Sequence, residues 1–180
     1  MWGEDAAKRL LSKDREMFED ASVLESIFDD SKRIMADLGC GPGFYAKKLK
    51  EFASVLYCID SSKAMLAVAR KNLNGKNVRF IEADSSDIPL SDSSVDVLFM
   101  ANSFHDMDKK PTSKEVMRIL KPDGMIVIID WEKSGDGKEE RGPPAYLRMS
   151  KEDYLKFFPG FGIKKEFTPG RDHFGIVLVR

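Results

Sequence analysis

Five short apolar runs, alternating with stretches of helical spacing, occupy the chain between Arg33 and Trp131. They read RIMADL, SVLYCID, NVRFIEAD, VDVLFMAN and MIVIIDW. In the first, second, fourth and fifth, residues of both parities are apolar, the pattern of strands covered on both faces. Strands that alternate with helices imply a parallel, doubly wound α/β sheet.

The connecting stretches support this. Phe44 to Phe52, Ser62 to Leu73 and Thr112 to Leu120 read as helices. Ser61 or Ser62 caps the second, and Thr112 with Glu115 has capping-box spacing at the start of the third. KPDG stops that helix before the fifth run. Residues 4–29 also look helical, with Leu10, Met17, Ala21, Leu24 and Phe28 in phase. Ser22 and Glu25 have capping-box spacing too, so the region is one helix or two.

Beyond the fifth run, Glu132 to Pro144 is a polar loop and Ser150 to Phe158 a helix. FGIKKEF and HFGIVLVR have no room for a crossover between them, so they form an antiparallel hairpin through TPGRD. The organisation is an N-terminal helical segment, 1–30, and a single domain, 31–180.

Bulk properties narrow the partners. The 180 residues carry 29 basic and 30 acidic side chains, a net charge of −1, which weighs against a nucleic-acid surface. No apolar run approaches the roughly 20 residues of a membrane span. Met1 to Phe28 is too charged for a signal peptide. Cys40 and Cys58 make neither a disulfide framework nor a zinc site. They read as small buried residues in a cytoplasmic protein, and no metal is expected.

The chemistry concentrates in ADLGCGPGFYAKKL, where the first strand meets the first helix. Glycines there allow a tight turn and close ligand approach. The spacing is G-x-G-x-G, not the dinucleotide G-x-G-x-x-G, and the Gly-Lys-Ser/Thr of a P-loop is absent. A nicotinamide-dependent oxidoreductase therefore gains no support. Asp37, just ahead of Gly39, would repel a pyrophosphate and attract an ammonium. Asp60 ends the second strand, where a carboxylate can accept from both hydroxyls of a ribose. Asp84 ends the third, within reach of an adenine amine. An amine, a ribose and an adenine without phosphate describe S-adenosyl-L-methionine, whose cationic sulfonium suits an acidic rim.

The stretches DLGCGPGFYAKKL, CIDSSKAMLAVARKN, FIEADSSDIPLSDSSVDVLFMANSFHDM and RILKPDGMIVIIDW resemble the successive motifs of class I, type 11 (ubiquinone/menaquinone-biosynthesis-like) S-adenosylmethionine-dependent methyltransferases. The resemblance implies a Rossmann-like, doubly wound, seven-stranded sheet in the order 3-2-1-4-5-7-6, with strand 7 antiparallel. It implies that Asp37, Gly39, Gly41 and Gly43 line the methionine part of the cofactor. Asp60 would hold the ribose, Ser61 and Met65 border ribose and adenine, Asp84 and Ser85 meet the adenine edge, and Asn102 stands near the methionyl amine.

Within that topology, His105 after strand four, Asp130 and Trp131 at the end of strand five, and His173 at the start of strand seven share one edge. Methyl transfer is an in-line displacement whose leaving group needs no acid, so catalysis rests on alignment, with a base only for a protonated nucleophile. His105, with Asp106 beside it, is the first candidate base, and His173 the second. Trp131, Phe104 and Tyr146 are candidates for an aromatic acceptor wall. The N-terminal segment, through Phe18, either crosses the cofactor mouth as a lid or packs on the sheet flank. NSFH replaces the Asn/Asp-Pro-Pro-aromatic motif of amino-group methylases, and two cysteines are too few for arsenite methylation. The expected acceptor is a small molecule. A protein or RNA acceptor, or a cofactor-binding subunit that supports a partner, are the alternatives.

Overall fold

The computed structural model describes residues 19–133 and 142–180. Seven strands form one sheet: β1 (Arg33–Leu38), β2 (Ala53–Asp60), β3 (Val78–Glu82), β4 (Val95–Ala101), β5 (Leu120–Trp131), β6 (Gly162–Gly170) and β7 (His173–Val179). Their order is 3-2-1-4-5-7-6. Pairs among β1 to β5 are parallel, and β7 is antiparallel to both β5 and β6. The sheet thus agrees in order and direction with the one expected.

Two apolar layers explain the strand pattern. Ala36 and Leu38 of β1, Leu98 and Met100 of β4, and Ile126 and Ile128 of β5 face one core with Val116, Tyr154 and Phe158. The alternate residues, Met35, Val97, Phe99, Val127 and Ile129, face a second core with Tyr45, Leu49, Leu66 and Leu24. These residues of the three central strands are therefore buried whatever their parity. At about 25 cal/mol per Å² of apolar surface removed from water, these two layers are the main stabilising contribution.

The helices are α1 (Ala46–Leu49), α2 (Lys63–Asn72), α3 (Lys109–Ile119) and α4 (Lys151–Leu155). Helix α2 starts where expected, with the Ser62 side chain accepting from the Met65 N–H at 3.3 Å. Helix α1 is shorter than the predicted Phe44–Phe52, because the glycine turn holds residues up to Tyr45 and the chain turns again into β2. Helix α3 begins at Lys109, one turn ahead of Thr112. Thr112 does not cap it. Its hydroxyl is buried and shares a hydrogen bond with Ser85 at 2.7 Å. Glu115 instead accepts from Arg118 at 2.7 Å and the Ile88 N–H at 2.9 Å. KPDG lies inside the extended β5 rather than in a separate stop.

Helix α4 ends sooner than the predicted Phe158, although Ser150 and Asp153 form a reciprocal capping box. The described part of the N-terminal segment is a 3₁₀ turn, Ala21–Ser26, capped by Asp20 rather than by Ser22. Phe18, and with it the lid contact, lies outside the described residues, as do residues 134–141 of the loop after β5. The β6–β7 hairpin forms as expected. Among the described residues, no helix is long and apolar enough to cross a membrane, and no cluster of three or more His, Cys, Asp or Glu is arranged to hold a metal. Cys40 and Cys58 are free and buried.

Candidate active site

The parallel strands end together, and the chain leaving β1 bends at once over the end of β2. The N–H groups of Gly39 and Cys40 both donate to the Ile59 carbonyl, at 2.8 and 3.1 Å. Gly39 has φ +74°, and a Cβ there would lie 2.5 Å from the Ser103 Cβ. Ser103 in turn donates its hydroxyl to the Leu38 carbonyl at 3.0 Å. Gly39 is therefore the point where two strand ends close on each other. Gly41 has φ +54° and faces open space, with nothing within 4 Å of an added Cβ. Its N–H donates to Asp60 Oδ2 at 2.8 Å, while Asp60 Oδ1 accepts from the Ser62 N–H at 2.8 Å. Burial pushes the Asp60 carboxyl above the usual carboxylate range, and the Ser62 and Gly41 N–H groups only partly oppose it.

Gly41 opens on a cleft of about 320 Å³. Gly39, Gly41, Asp60, Ser61 and the buried Met65 line it. Asp84 and Ser85, from the loop after β3, and Asn102, Ser103 and Asp106 to Asp108, from the segment after β4, complete the lining. Asp84 accepts from the Ser86 N–H and hydroxyl at 2.8 and 2.6 Å, and these bonds lower its pKa. A smaller cavity of about 70 Å³ adjoins across the glycine loop and shares Gly39, Gly41 and Asn102. Buried Asp37 lines it, with Phe44 and Tyr45. Gly43 lines neither cavity. It makes room for Leu73 at the end of α2, whose Cδ1 would lie 2.8 Å from an added Cβ.

The candidate bases separate into two clusters. Asp106 stands in the cleft wall, with its side chain about half exposed at 46%. His105 is buried behind it, with Nε2 3.7 Å from Asp106 Oδ2. Its Nδ1 lies 2.9 and 3.1 Å from the two oxygens of buried Asp130. Tyr154 donates its hydroxyl to the same carboxylate. Burial alone would lower the His105 pKa, but the Asp130 hydrogen bond and the charges of Asp130 and Asp106 outweigh it, so the pKa is raised. His173 is buried across the sheet edge, 4.1 Å from the Trp131 ring and with Nε2 3.8 Å from Glu19 Oε1. Neither histidine lines either of these two cavities. Phe104 packs in the core against Tyr154, Phe157 and Phe158, and Tyr146 is exposed, so the three candidate aromatics form no common wall.

Glu19 is a residue that sequence reasoning passed over. It is buried and accepts from the Tyr45 hydroxyl at 2.8 Å and the Asn102 Nδ2 at 2.9 Å. Asn102 has φ +53° and lines both cavities, so Glu19 pins a strained residue at their junction. Removing the carboxylate deprives two donors of this acceptor. Glu19→Ala is expected to lower stability by about 1–3 kcal/mol in chemical denaturation. Tyr154 was also passed over, and Asp130 was placed at the shared edge without a role. Asp130 had a signal, an acid at the carboxyl end of a parallel strand, as at Asp60.

Comparison with known proteins places this geometry in a family. The sequence model of the methyltransferase domain matches residues 36–128. A Sulfolobus solfataricus crystal structure assigned to the type 11 methyltransferases is 42% identical, with TM-score 0.80, covering 91% of this chain and 93% of that one. A SAM-dependent methyltransferase from Aquifex aeolicus is 26% identical, with TM-score 0.86 and full coverage of both chains. The demethylmenaquinone methyltransferase of Thermotoga maritima is 33% identical over 129 residues, 70% of this chain and 56% of the relative. The chain spans about three fifths of the length of the first curated relatives it matches. The match over residues 36–128 and the likeness to the Sulfolobus solfataricus structure settle the family: the chain belongs to the methyltransferase domain family, among the type 11 S-adenosylmethionine-dependent methyltransferases.

Proposed function

We propose that the protein transfers a methyl group from S-adenosylmethionine to a small-molecule acceptor by in-line displacement. The carrying observation is the cleft beside Gly41, open where a side chain would fill it and lined by four aspartates and no Lys or Arg among the described residues. Such a wall suits a cationic nucleoside and offers no cation to a pyrophosphate. Asn102 Oδ1 is buried with no hydrogen-bond partner among the described residues, which fits an incoming ammonium. Asp60 would receive the ribose hydroxyls, with Ser61 and Met65 beside it. Asp84 and Ser85 would meet the adenine. Asp37, Gly39, Gly41 and Asn102 would surround the amino-acid end, and Gly43 would act through the turn, by letting α2 approach. When bound, the cofactor supplies an electrophilic methyl on a cationic sulfur. The residues around it align the acceptor and exclude water.

The small-acceptor reading draws support from the name of the Thermotoga maritima relative. Radiolabelled cofactor offered to a metabolite fraction and, separately, to protein and RNA fractions tests it. Label confined to macromolecules would overturn the small-molecule assignment, and label nowhere would favour a supporting subunit.

Cofactor binding carries its own pH signature. Only ionised Asp60 accepts both hydroxyls, and its pKa is raised by burial. S-adenosylhomocysteine affinity is therefore expected to be constant above the Asp60 pKa. Below it, affinity falls by about tenfold per pH unit, beginning at a higher pH than for an ordinary aspartate. Calorimetry between pH 4 and 8 reads this directly.

A further inference from the structure

Asp130 is more heavily bonded than packing requires. Its buried carboxylate accepts from the Trp131 N–H at 2.8 Å, from the Tyr154 hydroxyl, and from His105 Nδ1 at 2.9 Å. A buried charge is tolerated when it is met by several donors. Here the donors also fix an orientation. With Nδ1 bonded to Asp130, the His105 ring presents Nε2 toward Asp106, and Asp106 is the member of the chain that reaches the cleft. A carboxylate that orients an imidazole, with the second nitrogen turned toward the site, is the arrangement of a positioned base.

We propose that Tyr154 and Asp130 hold His105 as the proton store for the reaction, reached from the cleft through Asp106, and that the acceptor is consequently an O–H, N–H or activated C–H nucleophile. The proposal rests on the methyl-transfer reading above and specifies the substrate class. The step balances. The acceptor atom gains the methyl and keeps the electron pair of its bond to hydrogen, while the pair of the broken C–S bond stays on sulfur. The proton moves to the Asp106 carboxylate and then to His105 Nε2, where Asp130 faces the resulting imidazolium. Asp106 is the group that meets the acceptor, and Asp130 and Tyr154 are positioning residues. An acceptor without a proton, such as a thioether or tertiary amine, would leave this chain idle.

The other ionisable neighbours are consistent with that role. Lys109 donates to the His105 carbonyl at 2.8 Å, and its charge opposes protonation, while Asp106 and Asp130 favour it. The balance leaves the imidazole more basic than usual, which suits retention of a proton behind a cleft walled by aspartates.

The test needs no acceptor. The chain has two histidines, so ring-labelled protein gives two signals, separated by a His173→Gln variant. His105 is titrated by NMR in the intact chain saturated with S-adenosylmethionine and then with neutral S-adenosylhomocysteine. A proton store coupled to the reacting centre senses the lost sulfonium charge. Its pKa should be higher in the homocysteine complex by about half a unit or more, a Coulomb effect between like charges sharing the site. Asp130→Asn should abolish the elevated basicity of His105 without abolishing calorimetric binding of S-adenosylhomocysteine. Identical His105 titration in the two complexes would overturn the proposal and leave the methyltransferase reading standing. Absence of binding heat for both ligands would overturn both.

Discussion

Asp60→Ala is expected to weaken S-adenosylhomocysteine binding by about two to three orders of magnitude, with little change in folding stability. The carboxylate does two things at once. Through Oδ2 it fixes the Gly41 N–H, and through Oδ1 the Ser62 N–H, so it sets both the glycine turn and the start of α2. Asp60 also lines the cleft, and each carboxylate oxygen keeps acceptor capacity beyond these bonds. Hydrogen bonds to a charged group contribute about 1.5–3 kcal/mol each, and a ribose offers two. Partial exposure discounts that total, and about 3–4 kcal/mol corresponds to the stated loss of affinity.

Stability responds differently because the folded-state pKa is raised. A group raised on folding is disfavoured in its ionised form, so its charge contributes no stability at neutral pH. Alanine therefore relieves a desolvation cost while leaving two N–H groups to solvent, and the two effects oppose. Asp60→Asn should fall between, since its amide oxygen keeps one acceptor. Calorimetry with wild type and both variants settles the order. An Asp60→Ala dissociation constant within threefold of wild type would remove Asp60 from the ribose site.

The legibility of these features in the sequence follows from how local their causes are. Strand positions were readable because burial on both faces leaves a continuous apolar run, as in VLFMA of β4, whose residues alternate between the two cores. The strand order was not readable from periodicity and came with the family resemblance. Thr112 and Glu115 show how spacing misleads. Both resemble a cap, yet each is occupied by tertiary partners, Ser85 for one and Arg118 with Ile88 for the other. In the site, acids at strand ends were visible because topology alone carries them to one edge. Gly43 entered the expected site with the family resemblance, whereas its close approach to Leu73 at the end of α2 has no local signature. Glu19 joins Tyr45, Asn102 and His173 from four separate segments, and no one-dimensional pattern announces such a meeting.

The two glycines that flank Cys40 should part company on substitution. Gly39→Ala places a Cβ 2.5 Å from the Ser103 Cβ and 2.8 Å from its Oγ. Those atoms cannot swing away without breaking the Ser103 bond to the Leu38 carbonyl, and the contact lies between two strand ends. Left-handed backbone costs a non-glycine residue about 1–2 kcal/mol, and overpacking adds about 1–3 kcal/mol. A loss of about 2–5 kcal/mol in chemical denaturation is expected. Gly41→Ala carries a similar backbone strain but meets no atom within 4 Å, so its stability loss should stay near 1–2 kcal/mol. Its methyl would enter open space at a residue that lines the cleft, so with the ligand placed as proposed, S-adenosylhomocysteine affinity should fall steeply, and further in Gly41→Val. The ratio of affinity loss to stability loss is then high at Gly41 and low at Gly39. The reverse ratio would mean that the ligand does not lie against Gly41, because the strain terms at the two positions are nearly equal and only the occupancy of that open face distinguishes them.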